Sequence, residues 1–331
     1  MKFVNPRFLF FAIFIGMFLL LAACSNSTDG KASENGSDDY PEKSITVVVP
    51  AGAGGDTDRN TRTLAKNLED ELGVSLVVQN VNGAGGSTGT RQVLDADPDG
   101  YTVLAFHDAA LINNVLDLTD YSIADDFEVA GIGILDKANT FMVSGDSKFD
   151  NLQDMVAYAK DHPGEVKVAT ETGAFTHLQL LKLQEEADVE FNIVDAGGAA
   201  DKIKALLGGQ VDVVPTSLGL VQEYVDSGKM KSLGVMSDER LELFPDVPTF
   251  KEQGYDVVFD KIFFWAFPPE TPDDVVNKFS DAMEKVVKEN GEFADKLKGY
   301  GVNPEYVGPG EAEKLIKETQ NNYKEIYDSS K

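Results

Sequence analysis

Apolar residues in this chain come in short runs punctuated by glycine. Ile45 to Pro50 (ITVVVP) is rich in β-branched residues and reads as a buried parallel strand. The loop Gly52-Ala53-Gly54-Gly55-Asp56-Thr57-Asp58 follows. Leu64, Leu68 and Leu72 then recur at every fourth position, which predicts an amphipathic helix closed at Gly73. Leu76 to Val78 is the next strand, and it leads into Gly83-Ala84-Gly85-Gly86-Ser87-Thr88-Gly89. A short helix ends near Asp97-Pro98-Asp99-Gly100, a turn signal before the strand Tyr101 to Phe106. Strand, glycine loop and helix in that order are βαβ units, whose right-handed crossovers put both loops at the carboxyl edge of one sheet. Open α/β sheets bind ligands at that edge.

The pattern recurs less closely further on. Val166 to Thr170 predicts a strand, followed by Glu171-Thr172-Gly173-Ala174-Phe175-Thr176-His177 and a helix from Leu178. Phe191 to Val194 predicts another, followed by Asp195-Ala196-Gly197-Gly198-Ala199-Ala200 and a helix to Leu207. Strands are also expected at Val211 to Val214 and Leu233 to Met236. Phe263 to Phe267 is a dense aromatic run, and two charged amphipathic helices finish the chain, near Pro272 to Glu289 and Gly310 to Tyr327.

The first residues depart from this pattern. Lys2 and Arg7 precede the apolar stretch Phe8 to Ala23, which suits a signal peptide and is short for a spanning helix of about 20 residues. The stretch ends in Leu21-Ala22-Ala23-Cys24, which resembles the bacterial lipobox. Cys24 is the only cysteine, so no internal disulfide can form, and lipidation accounts for its position. Two acyl chains anchor stably where one is marginal. Ser25 to Asp39 is polar and glycine-containing, the composition of a tether. The expected division is a signal peptide at 1–23, a lipidated tether at 24–39, one lobe at 40–138, a second at 139–258, and a return to the first at 259–331. The length beyond the tether favours two domains.

The formal charge of −27 disfavours nucleic acid and anionic membrane surfaces as partners. It also gives no long-range attraction to an anion, so an anion site has to be built locally. Helix starts supply unpaired N–H groups and partial positive charge, and glycine lets the main chain come close to an anion. Thr57, Ser87 and Thr88 stand where a hydroxyl can cap a helix or reach a ligand. Neither loop has the lysine of a Walker motif. Threonine at positions 57 and 88 breaks the dinucleotide pattern. Gly85-Gly86-Ser87-Thr88-Gly89 matches the nucleophile elbow G-x-S-x-G, which keeps a secreted serine hydrolase open as an alternative. The sister loop has Asp56 in the serine position, so the frame itself does not need a serine. Asp95 to Gly100 mimics the start of an EF-hand, but Phe106 stands where the bidentate glutamate belongs. No metal spacing is present among the three histidines, and no cofactor is expected.

Taken in order, several pieces of the chain resemble the receptors of tripartite tricarboxylate transporters, the Bug-type solute-binding proteins. They are Val49-Pro50 with Gly54 to Asp58, Asn82 to Gly86, Asp97 to Thr102, Leu207 to Asp212, Arg240 with Leu243 to Thr249, and Glu252 to Tyr255. The resemblance implies a two-lobed periplasmic-binding-protein fold of the second type, each lobe a mostly parallel sheet flanked by helices, with the ligand in the cleft. It implies a non-enzymatic, monomeric receptor that hands a di- or tricarboxylate or related acid to membrane permease subunits driven by an ion gradient. A ligand-presenting sensor is the other receptor reading. The family motif carries over to Gly54, Gly55 and Thr57, to Gly85, Gly86, Ser87 and Thr88, and to Thr176, Gly197 and Gly198 as ligand-binding positions, and Asp56 between them is counted with the site. Two departures stand out. Asp56 replaces a usual serine or glycine, and it either caps its helix or binds the ammonium of an amino-acid-like solute. The loop Glu171 to Thr176 lacks the usual Gly-Ser pair.

Overall fold

The computed structural model describes residues 40–331. Cys24 and the signal and tether segments lie outside them. The run that opens with Ile45 forms β1 (Ile45–Val49), and α1 (Asp56–Leu72) follows with Gly55 at its N-cap. Gly73 closes α1 at φ 73°, a left-handed position that glycine adopts without strain, and returns its N–H to the Glu69 carbonyl. Next come β2 (Leu76–Asn80), a 3-10 turn (Ala84–Gly86), α2 (Ser87–Leu94), β3 (Thr102–His107), α3 (Ala109–Val115), α4 (Ile123–Asp126) and β4 (Glu128–Asp136). The chain continues through β5 (Asn139–Ser144), α5 (Leu152–Asp161), β6 (Lys167–Thr170), α6 (Phe175–Ala187), β7 (Asn192–Asp195), α7 (Ala199–Leu207), β8 (Val213–Ser217), α8 (Leu218–Asp226) and β9 (Met230–Val235). It ends with β10 (Lys261–Phe267), α9 (Asp273–Glu289), α10 (Gly291–Lys298), β11 (Asn303–Val307) and α11 (Pro309–Ser329).

The strands form two mixed sheets, in the orders β11-β4-β10-β3-β1-β2 and β7-β6-β8-β5-β9. In the larger sheet β1 is parallel to β2 and β3, whereas β10 runs antiparallel to β3 and β4. In the smaller sheet β6 is parallel to β7 and β8, and β5 runs antiparallel to β8 and β9. The aromatic run is therefore a central strand. Sequence analysis leaves β4, β5 and β11 unassigned.

Register fixes how the sheets face each other. Phe263 pairs with His107 and Lys261 with Asp136, so β10 begins where β3 and β4 end. Asn139, three residues after the end of β4, pairs with Ser217 at the carboxyl end of β8. The chain thus crosses from the carboxyl edge of one sheet to the carboxyl edge of the other, and it returns at Lys261 by the same route. Asn139 joins the two crossings. Its Nδ2 donates to the Asp136 carbonyl at 2.8 Å and to the Phe259 carbonyl at 3.0 Å.

One continuous apolar cluster includes Val48 and Leu104 of the larger sheet, Phe141 and Val168 of the smaller, and Ile316 and Tyr323 of α11. A second cluster fills the space between the larger sheet, α1 and α9, and contains Trp265 and Phe279 with ring centroids 5.6 Å apart. The Asp95 to Gly100 segment is a packed turn. Tyr40 donates its hydroxyl to the Gly100 carbonyl at 2.8 Å, and Asp99 accepts from the Tyr101 N–H.

Candidate ligand site

Both glycine loops sit at the edge that faces the smaller sheet, because they follow adjacent parallel strands. The second packs against the first strand's end. A Cβ on Gly86 would stand 3.1 Å from the Pro50 carbonyl oxygen and 2.2 Å from Phe106. Asn113 of α3 holds this loop from the other side by donating Nδ2 to the Gly85 carbonyl at 2.9 Å.

Much of the loops' hydrogen-bonding capacity is used internally. The Gly54 N–H donates to Asp58 Oδ2 at 2.9 Å, and Asp58 is held in turn by Arg62 and Asn80. The Thr57 N–H donates to Asp56 Oδ1 at 2.8 Å, and the Thr57 hydroxyl also lies within reach of that oxygen at 3.3 Å. The Gly86 N–H returns to the Gly83 carbonyl and that of Ser87 to Ala84. Ser87 and Thr88 line an open cavity of about 660 Å³ with Arg91 and the segment 117–121, all from the chain before β4. The two loops are thus brought together through their backbones, while the Thr57 hydroxyl and those of Ser87 and Thr88 serve different surroundings.

Asp56 is the first residue of α1, one past the Gly55 N-cap, and its second oxygen is paired within the protein. Lys261, the first residue of β10, donates Nζ to Asp56 Oδ2 at 2.6 Å. Burial pushes the Asp56 carboxyl up, but the Lys261 charge and hydrogen bond, with the Thr57 N–H, hold it below the usual carboxylate range. For Lys261, burial pulls down, and the charge of Asp56 with Asp136 and Asp108 behind it leaves the ammonium above its ordinary value.

The end of β3 adds two buried polar groups. His107 Nδ1 accepts from the Ala109 N–H at 3.2 Å, and burial, then Lys261, lowers its pKa to about 3. It is a neutral imidazole. Asp108 has no exposed surface; it accepts from the Ile262 N–H at 2.8 Å and the Tyr323 hydroxyl at 2.6 Å, while burial raises its pKa to about 6. Tyr323 stacks on Phe259 and meets Phe175 edge-on, so α11 touches both sheets' edges at this point.

From the smaller sheet, Thr170 and Thr176 share a hydroxyl contact of 2.8 Å, and Lys202 Nζ donates to Thr176 Oγ1 at 3.0 Å. Gly197 takes φ 77° and donates its N–H to Asp195 Oδ1, and Gly198 is the N-cap of α7 with open space where a Cβ would stand. Burial lowers the Lys202 pKa to about 8; Lys261 acts in the same direction, and Glu171 and Asp56 oppose it.

Sequence reasoning overlooked Asp108, Lys202, Lys261 and Tyr323, and it weighed His107 only as a base for Ser87. Lys202 had a signal: it lies three and four residues before Ala205 and Leu206, on the buried stripe of its helix. Among the described residues the three histidines have other partners, and none is hydrogen-bonded to the Ser87 hydroxyl. His107 is engaged with Ala109, His162 stacks on Tyr158, and His177 accepts from the Gly173 N–H.

Two mixed α/β layers with facing carboxyl edges and two crossings define the class of two-lobed solute-binding proteins. The chain belongs to the tripartite tricarboxylate transporter receptor family, whose model, "Tripartite tricarboxylate transporter family receptor", matches residues 60–330. It is 32% identical to Protein BugT of Bordetella pertussis over 75% of this chain and 77% of that one. The periplasmic binding protein BugD is similar in structure, with a TM-score of 0.76 and 30% identity over 88% of this chain and 98% of that one. MatC of Rhodopseudomonas palustris, solved with bound malate, shares the fold at a TM-score of 0.76 and 24% identity, over 87% and 99% of the chains. The protein is accordingly an extracytoplasmic solute-binding receptor.

Proposed function

We propose that this receptor captures a small carboxylate in the gap between the two sheet edges and delivers it to the membrane permease subunits of a tripartite tricarboxylate-type transporter. The observation that carries this reading is the pairing of two glycine loops on adjacent parallel strands with lysines from both sides of the gap. The family is named for tricarboxylate transport, and a protein of the same fold holds malate. The lobes take residues 40–138 with 259–331, and 139–258, and they close about the crossings pinned by Asn139. Gly54 to Thr57, Gly85 to Thr88, Thr176, Gly197 and Gly198 line the gap; those whose N–H groups are engaged internally contribute shape rather than donors. The protein works as a monomer and performs no chemistry on the acid.

Calorimetric titration of the chain from Tyr40 onward against mono-, di- and tricarboxylates tests the reading. At least one acid binds if it holds, and silence across the panel overturns it. Anchoring rests on Leu21-Ala22-Ala23-Cys24 alone. Cells expressing the full chain are expected to incorporate labelled palmitate, and Cys24→Ala to abolish the label and release the protein from membranes.

A further inference from the structure

The Lys202 side chain is the least satisfied charge at the site. Lys202 is 5% exposed. Its ammonium has three N–H groups, and Thr176 Oγ1 is its one hydrogen-bond acceptor among the described residues. No carboxylate of the described residues lies within 4.0 Å of Nζ, whereas Lys261 has Asp56 at 2.6 Å. The charged groups that face it are Glu171 from the loop after β6, and Asp56 and Lys261 across the gap. Asp56 and Lys261 neutralise each other, and Glu171 is exposed. A buried cation without a counter-ion is costly, and an anion that arrives with complementary geometry removes that cost.

We infer that Lys202 is the counter-ion for a second anionic group of the solute, so that the site selects di- or tricarboxylates over monocarboxylates. The inference rests on the carboxylate reading above. The first carboxylate lies against the glycine loops of the larger sheet, at the positive end of α1. Its partner group meets Lys202, which α7 supplies from the smaller sheet. A dianion therefore touches both sides, and a monoanion leaves Lys202 unpaired. Asp56 adds to the selection. Its carboxylate is held by Lys261, so an α-ammonium on the solute gains no ion pair there.

Burial lowers the Lys202 pKa to about 8, with Lys261 acting in the same direction and Glu171 and Asp56 opposing. The ammonium thus persists at neutral pH and is lost above it. Bound dianion raises this pKa, so affinity for a dianion falls as pH rises past 8, by up to about tenfold per unit.

The test is titration of butyrate, succinate, adipate and citrate into the chain from Tyr40 onward, which forms one compact unit, at pH 7 and pH 9. The best di- or tricarboxylate is expected to bind at least tenfold tighter than butyrate at pH 7, and to weaken at pH 9 while butyrate does not. Lys202→Met, whose unfolding midpoint checks that it folds, should lose both the preference and the pH dependence; Lys202→Arg should keep the preference. If butyrate binds as well as the others, or if Lys202→Met keeps the preference, the inference is overturned and the carboxylate reading stands. If no acid binds the parent protein, the carboxylate reading fails and takes the inference with it.

Discussion

Asp56 and Lys261 are mutually dependent. Their side chains retain only 25% and 14% exposure, so removing either leaves the other charged with little water to solvate it. Asp56→Asn should cost about 2–4 kcal/mol in urea unfolding. The double variant Asp56→Asn, Lys261→Met should recover most of that loss. A double variant no more stable than Asp56→Asn would show that Lys261 does not depend on Asp56. His107 gives a pH signature. It is held neutral in the fold at a pKa of about 3, against an ordinary 6.5. The unfolded chain binds the extra proton between those values, so this group's contribution is present above pH 6.5 and is lost as pH falls toward 3. Asp108, raised to about 6, acts with the opposite sign between about 4 and 6. His107→Gln separates the two: relative to the parent, its urea midpoint should improve as pH drops from 7 to 4. A difference independent of pH would contradict the neutral buried imidazole.

Among the elements, β4 shows how tightly the layers meet. A Cβ on Gly133 would stand 2.7 Å from Leu64 Cδ2 of α1, and one on Gly131 would stand 2.7 Å from Met283 Cε of α9. Gly133→Val should therefore destabilise by about 1–3 kcal/mol through overpacking, read as a lower unfolding midpoint at unchanged denaturant slope. The same glycines explain why β4 was not legible in the sequence. Glycine reads as a break in a strand, and only the helices packed above it show why none but the smallest residue fits. The strands β1, β2, β3, β6, β7, β8 and β9 were legible because each holds a short apolar run bounded by turn signals. β10 was recognisable as an apolar run, but its antiparallel place at the centre depends on a return from the other sheet that no local pattern encodes. In the site, the glycine loops were legible from their near repetition. Their internal bonding was not, since Asp58 reaching back to Gly54 and Lys261 reaching Asp56 are choices made by the tertiary structure.

At the scale of the molecule, the two sheets share a core. Because Val48, Phe141, Ile316 and Tyr323 belong to one apolar cluster, heat should unfold the chain from Tyr40 onward in a single calorimetric transition. Truncation before Tyr323 removes the hydroxyl held by Asp108 and the ring stacked on Phe259. It should lower that transition and broaden or split it. Two well-separated transitions in the intact chain would refute the shared core. Trp265 has a practical consequence for anyone measuring binding. It is the only tryptophan in the sequence, it is 2% exposed, and it packs on Phe279 in the cluster behind the larger sheet. It also lies four residues along β10 from Lys261, about 13 Å from the edge proposed to meet the solute. Its emission will report unfolding faithfully and stay nearly silent when a solute binds, so a fluorescence screen of this receptor would score true ligands as negatives.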